Sequence, residues 1–162
     1  MNTVSPYCKV WKASPALLSA IRSIPIKDIP KHPDESAGVD TWAMGYAECL
    51  TCGSEVEPHT DWIETFGLVC ISGGGTFILG EPDGIGWGQT HADMREVDDM
   101  TNKKEWKVSE GTCLQFWGLA PHSFSSENKS NTFLTIKVDR EKLAFLSKKE
   151  FEAKAEELIR KR

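Results

Sequence analysis

The chain has 162 residues, 40% hydrophobic and 27% charged, a composition that fits one globular domain and not a disordered or fibrous chain. Its net charge of −5 and pI near 5.4 exclude a broad electrostatic grip on nucleic acid or anionic membrane, and leave only a local basic patch as a route to a nucleic-acid substrate. No stretch approaches the ~20 apolar residues of a membrane-spanning helix, and the N-terminus lacks the basic start and apolar core of a signal peptide.

Five scattered cysteines, Cys8, Cys49, Cys52, Cys70 and Cys113, are an odd number. They are expected to be thiols of a reducing cytoplasm. Cys49 and Cys52 form a CxxC, but neither a second CxxC nor a His pair accompanies it, as zinc would require. A βαβ setting for redox chemistry is also missing, so both are read as strand or turn cysteines.

In chain order, Ser14-Pro15 followed by Ala16–Ile21 predicts a helix capped by serine, with proline in its first turn. Ile24-Pro25-Ile26 and Ile29-Pro30-Lys31-His32-Pro33 predict extended chain along the outside of the fold, with His32 on the surface. From Val39 the texture changes to strands. The first is Thr41–Leu50, broken by Gly53. Val56–Trp62 and Phe66–Ser72 follow, and then Thr76–Leu79 after three glycines. The last two are expected to form a β-hairpin. Gly80–Thr101, with Gly84, Gly86, Gly88, Trp87 and His91, is expected to be a long loop acting as a lid or substrate-selecting segment. Strand signals return at Trp106–Val108, Cys113–Trp117, His122–Ser125 and Thr132–Val138.

Asp139–Leu146 suggests a short helix. Ser147-Lys148-Lys149-Glu150 is a capping-box pattern. The helix it opens carries an apolar stripe at Phe151, Ala155, Leu158 and Ile159, fit either for a homodimer contact or for packing on its own barrel. Short strands between helical flanks at 14–24 and 147–162 predict a mainly β jelly roll, with a barrel core at about 40–138.

The chemistry-bearing feature is His59-Thr60-Asp61, joined by a distant His122 in Ala120-Pro121-His122-Ser123. Residues i and i+2 of a strand share a face, so His59 and Asp61 would aim an imidazole and a carboxylate at one point. Two His and one carboxylate form the facial triad of non-haem Fe(II) oxygenases, with metal positions open to substrates.

Two segments resemble the double-stranded β-helix superfamily, the cupins and the Fe(II)- and 2-oxoglutarate-dependent oxygenases. Glu110–Phe124 is similar to the second cupin motif in its Gly111-to-His122 interval and its Pro121-His122 step. Gly53 and, after five residues, His59 are similar to the opening of the first. Cupins generally follow with a second His and then a Glu. Here Asp61 takes the second position, Thr65 and Phe66 fall where the Glu would be, and HxD…H matches the oxygenase pattern.

The resemblance implies His59, Asp61 and His122 as metal ligands and catalytic residues, with Fe(II) as the cofactor and 2-oxoglutarate as the co-substrate. The usual cation for the co-substrate falls near Asn131-Thr132-Phe133, which is neutral, so that role passes to Lys137 or Arg140, with Ser123 as a hydroxyl donor. The expected activity is oxidation, chiefly hydroxylation, of a small or macromolecular substrate. The alternatives are a cupin-type metalloenzyme that does not use 2-oxoglutarate and a non-catalytic module binding a ligand or protein. His91 is read as a solvated loop residue. Trp62, Trp87, Trp106 and Trp117 are read first as core and second as a stacking surface for a planar substrate.

Overall fold

The computed structural model describes residues 5–32, 43–60, 65–82, 95–96, 100–137 and 145–161, with backbone alone at 43, 65, 95, 96 and 137. Strand β1 (Cys8–Lys12) leads into helix α1 (Pro15–Arg22), whose Ser14 cap accepts from the Leu17 N–H and whose first residue is proline. Strands β2 (Ala43–Met44), β3 (Cys49–Cys52), β4 (Glu55–Thr60), β5 (Thr65–Ser72) and β6 (Gly75–Leu79) follow. Next come β7 (Arg95–Glu96), β8 (Lys104–Val108), β9 (Thr112–Trp117), β10 (His122–Ser125) and β11 (Asn131–Lys137). Helix α2 (Lys148–Arg160) closes the chain with the expected capping box between Ser147 and Glu150.

The strands form two antiparallel sheets, ordered β1-β9-β5-β11-β3-β2 and β7-β4-β10-β6-β8. From β3 to β6, and again from β8 to β11, each successive strand changes sheet. That winding is the jelly roll, as expected from the short strands.

Alternation along the strands gives the larger sheet two buried faces. Cys49, Val69, Ile71, Cys113, Leu134 and Ile136 pack outward beneath the helices, against Leu17, Ile21, Phe151, Ala155 and Ile159. Leu50, Cys52, Phe66, Leu68, Leu114, Phe116 and Phe133 point inward to the second sheet. The α2 stripe is thus covered by its own chain, with Trp11 edge-on to Phe151 at 4.9 Å. Glu152 fastens the helix by accepting from Trp11 Nε1 at 3.2 Å and from Ser14 N at 3.1 Å.

Four expectations are corrected. Strands β5 and β6 are not a hairpin. Gly73 (φ +84°) and Gly74 (φ +127°) carry the chain from one sheet to the other, because β6 has both edges taken by β8 and β10 while β5 pairs with β9 and β11. The stretch 41–50 is not one strand. After Met44, Ala47 (φ +49°) and Glu48 (φ +62°) turn the backbone, and Gly45 N–H closes the turn on Cys49 O at 3.0 Å.

Residues 24–33 are not simply extended chain on the outside. Ile26–Asp28 is a 3-10 turn and Ile24 is buried. His32 is 2% exposed, not on the surface: its ring lies against Gly53, and its N–H donates to Ser130 Oγ at 3.1 Å. Finally, the segment 80–101 is not all loop, because Arg95–Glu96 pairs with β4 opposite Thr60 and His59. Its residues 83–94 and 97–99 lie outside the described residues, as does 138–144, where a short helix is expected.

Candidate functional site

The site is built on β4 and β10, neighbours in the smaller sheet. Trp117 O accepts from Ala120 N–H at 2.9 Å, closing a turn. Pro121 then restricts Ala120 to extended geometry, and β10 starts at His122. There His122 and His59 are Cα partners across the two strands. Their ring centroids lie 4.4 Å apart at an interplanar angle of 59°. The β4–β10 register shifts between His122 and Phe124, the kind of bulge that re-aims a side chain beside a site.

Both imidazoles are held in the same way. His59 Nδ1 sits 2.7 Å from Glu57 O, and His122 Nδ1 sits 2.8 Å from Ala120 O. A carbonyl oxygen only accepts, so each neutral ring carries its proton on Nδ1 and its lone pair on Nε2. Metal-binding histidines are commonly fixed this way, through a carbonyl behind the ring. The two residues are 8% and 5% exposed, so burial limits the motion of their rings. The donor set suits a divalent ion. Among the described residues no group of three His, Cys, Asp or Glu gathers.

Asp61, the third expected ligand, lies outside the described residues, as do Arg140, His91, Trp62 and Trp87. Lys137 ends β11 opposite Phe66, and its side chain is also outside them. Ser123 lines the same cavity as the two histidines. Thr135 lines it too, but its hydroxyl donates to Glu48 O at 2.6 Å. Trp106 lies 6.2 Å from Phe77, and the buried Trp117 stacks on Tyr7 at 5.8 Å, so both sit in packed clusters. Cys49 and Cys52 are three apart on β3 and so fall on its opposite faces, in different clusters. They cannot share one ion.

The sequence reading missed the cavity itself. It holds about 270 Å³ between the sheets, and phenylalanines, not tryptophans, dominate its wall: Phe66, Phe77, Phe116, Phe124 and Phe133. The signal was present as i, i+2 apolar pairs such as Phe66/Leu68 and Leu114/Phe116. Which sheet each strand joins decides whether such pairs meet.

No protein-family model matches the chain, and no curated protein matches it. Solved structures do. The E. coli protein YcfD is 14% identical at a TM-score of 0.45, over 83% of this chain and 50% of its own. Vicilin from Capsicum annuum is 17% identical at 0.37, over 83% of this chain and 29% of its own. Vicilin from hazelnut, Corylus avellana, is 12% identical at 0.38, over 85% and 31%. The chain thus spans half or less of the length of these structures.

Proposed function

We propose that the chain is a non-haem Fe(II)- and 2-oxoglutarate-dependent oxygenase, with His59, Asp61 and His122 as the metal ligands. The observation that carries this reading is the facing pair His59–His122, with ring centroids 4.4 Å apart and each Nδ1 within hydrogen-bond distance of the backbone carbonyl two residues earlier. Asp61 follows His59 by two residues, the interval that would add a carboxylate to the same strand face. Bound Fe(II) would bind and activate O2, the oxidant, a redox step that no side chain of the chain can supply.

The chain's own part is binding, orientation and exclusion of water. The two carbonyls fix the imidazole planes, so little ligand motion remains to be frozen on binding. The apolar wall keeps water from the reacting face. Lys137 or Arg140 would hold the far carboxylate of 2-oxoglutarate, with Ser123 adding a hydroxyl.

A second reading, a cupin-type metalloenzyme that does not use 2-oxoglutarate, is favoured by the make-up of the wall itself: eleven of its fifteen lining residues are apolar, and such an enzyme needs no partner for a far carboxylate.

Anaerobic titration of the metal-free protein with Fe(II) and then 2-oxoglutarate separates the readings. The expected result is a visible charge-transfer band that is absent from Asp61→Ala. Iron binding with no band moves the chain to the second reading. Failure to bind any divalent metal removes both and leaves a binding module.

A further inference from the structure

We infer that the ligand of this cavity is an uncharged, hydrocarbon-rich small molecule, larger than one benzene ring, held between the sheets against the His59–His122 pair. Its role as the molecule oxidised rests on the metal reading above, but its binding does not. Of the fifteen residues lining the cavity, eleven are apolar. The four others are His59, His122, Ser123 and Thr135, and the Thr135 hydroxyl is committed to Glu48 O. No acidic or cationic side chain lines it among the described residues. A charged body set against those eleven apolar side chains would lose its hydration with nothing there to replace it, whereas the charged ends of 2-oxoglutarate would depend on the metal and on Lys137 or Arg140, not on this wall.

Size and wall texture narrow the class. An apolar cavity of roughly 150 Å³ stays dry and takes benzene, so about 270 Å³ admits a larger ring system or a branched aliphatic body. The wall offers ring faces and edges from both sheets. Phe116 lies 4.9 Å from Phe77 and 4.7 Å from His122, and Phe124 meets Phe133 edge-on at 5.5 Å. A flat apolar ligand can continue that offset and edge-to-face pattern. Contact with His122 through Phe116 and Phe77 places the apolar wall directly beside the imidazole pair.

The test uses the full chain stripped of metal by a chelator. It is titrated with naphthalene and, separately, with naphthalene-2-carboxylate, which has the same body plus a charge, and ligand fluorescence is followed. We expect saturable naphthalene binding, weaker by at least about tenfold for the carboxylate, and loss of binding in Leu68→Trp, which fills the cavity from β5. If circular dichroism shows that Leu68→Trp does not fold, Val108→Phe fills it from β8. Absence of naphthalene binding, or equal or tighter binding of the carboxylate, overturns the inference. Titrating the same samples with Co(II) keeps the two readings apart. Co(II) bound with naphthalene rejected overturns the apolar ligand and spares the metal centre. Naphthalene bound with Co(II) rejected upholds the ligand class and overturns the metal centre.

Discussion

His59 and His122 stand opposite each other as Cα partners on β4 and β10, with ring centroids 4.4 Å apart and each Nδ1 tied to the carbonyl two residues earlier. Folding therefore bears the cost of bringing together two groups that are far apart in the chain. A metal that uses both Nε2 atoms binds a preformed pair.

Either His59→Ala or His122→Ala should lower Co(II) affinity by at least about a hundredfold, since even losing an outer partner of a ligand costs about 10–100-fold. Each substitution also opens a cavity and strands the Glu57 or Ala120 carbonyl, so the Tm should fall by several degrees, at about 2–4 °C per kcal/mol for a chain this long, with the fold kept. Competition with a chelating dye reads the first quantity and calorimetry the second. Unchanged Co(II) affinity in both variants would remove the histidines from any metal site.

Asn131 is fully buried and joins three corners of the barrel. Its Oδ1 accepts from Gly74 N–H and Ser126 Oγ, and its Nδ2 donates to Gly53 O and Asn128 O. Asn131→Leu leaves several of these groups buried without partners, each costing about 1–3 kcal/mol. Thermal unfolding should fall by on the order of 10 °C. A fall below about 2 °C would show that water replaces the side chain.

Glu152 links α2 to β1 and the α1 cap through Trp11 Nε1 and Ser14. Glu152→Ala should cost about 1–3 kcal/mol in urea unfolding, while Co(II) affinity stays unchanged because the helices cover the sheet face away from the cavity. A parallel loss of metal affinity would mean that the two faces are coupled.

Burial pushes the thiols of Cys49, Cys70 and Cys113 up to about 12, with the Glu110 charge adding at Cys70 and the Glu152 charge at Cys113. Burial raises Cys8 as well. An unfolded thiol titrates near 9.0, so below that pH both states keep their protons. Between pH 9 and 12 only the unfolded chain releases them, and stability must fall as pH rises. The urea midpoint should drop across that window, less so in Cys113→Ala. Native protein at pH 8 should react with a thiol reagent only slowly, and fast reaction of the whole set would contradict the burial.

Most barrel strands were legible because β-branched and aromatic runs between glycines carry local information, whereas β1 and β7 were not foreseen and 41–50 divides around a turn. His122–Ser125 is the clearest case, with its expected bounds and observed bounds the same. Pairing was not legible. The glycines at 73–75 look like a hairpin turn, yet β5 and β6 belong to different sheets, which depends on contacts remote in sequence. His32 looked exposed because prolines surround it, and tertiary packing against Gly53 overrides that texture. The two histidines of the site could be named from their motifs. The cavity beside them arises only when both sheets are in place.

Strand β11 presents Leu134 and Ile136 to the helices and Phe133 and Thr135 to the cavity. Odd and even positions of one strand thus do different physical work. A substitution at 134 or 136 acts on the packing beneath the helices, while one at 133 acts on the cavity wall, so the lining can be altered at alternate residues without touching the helix-covered face.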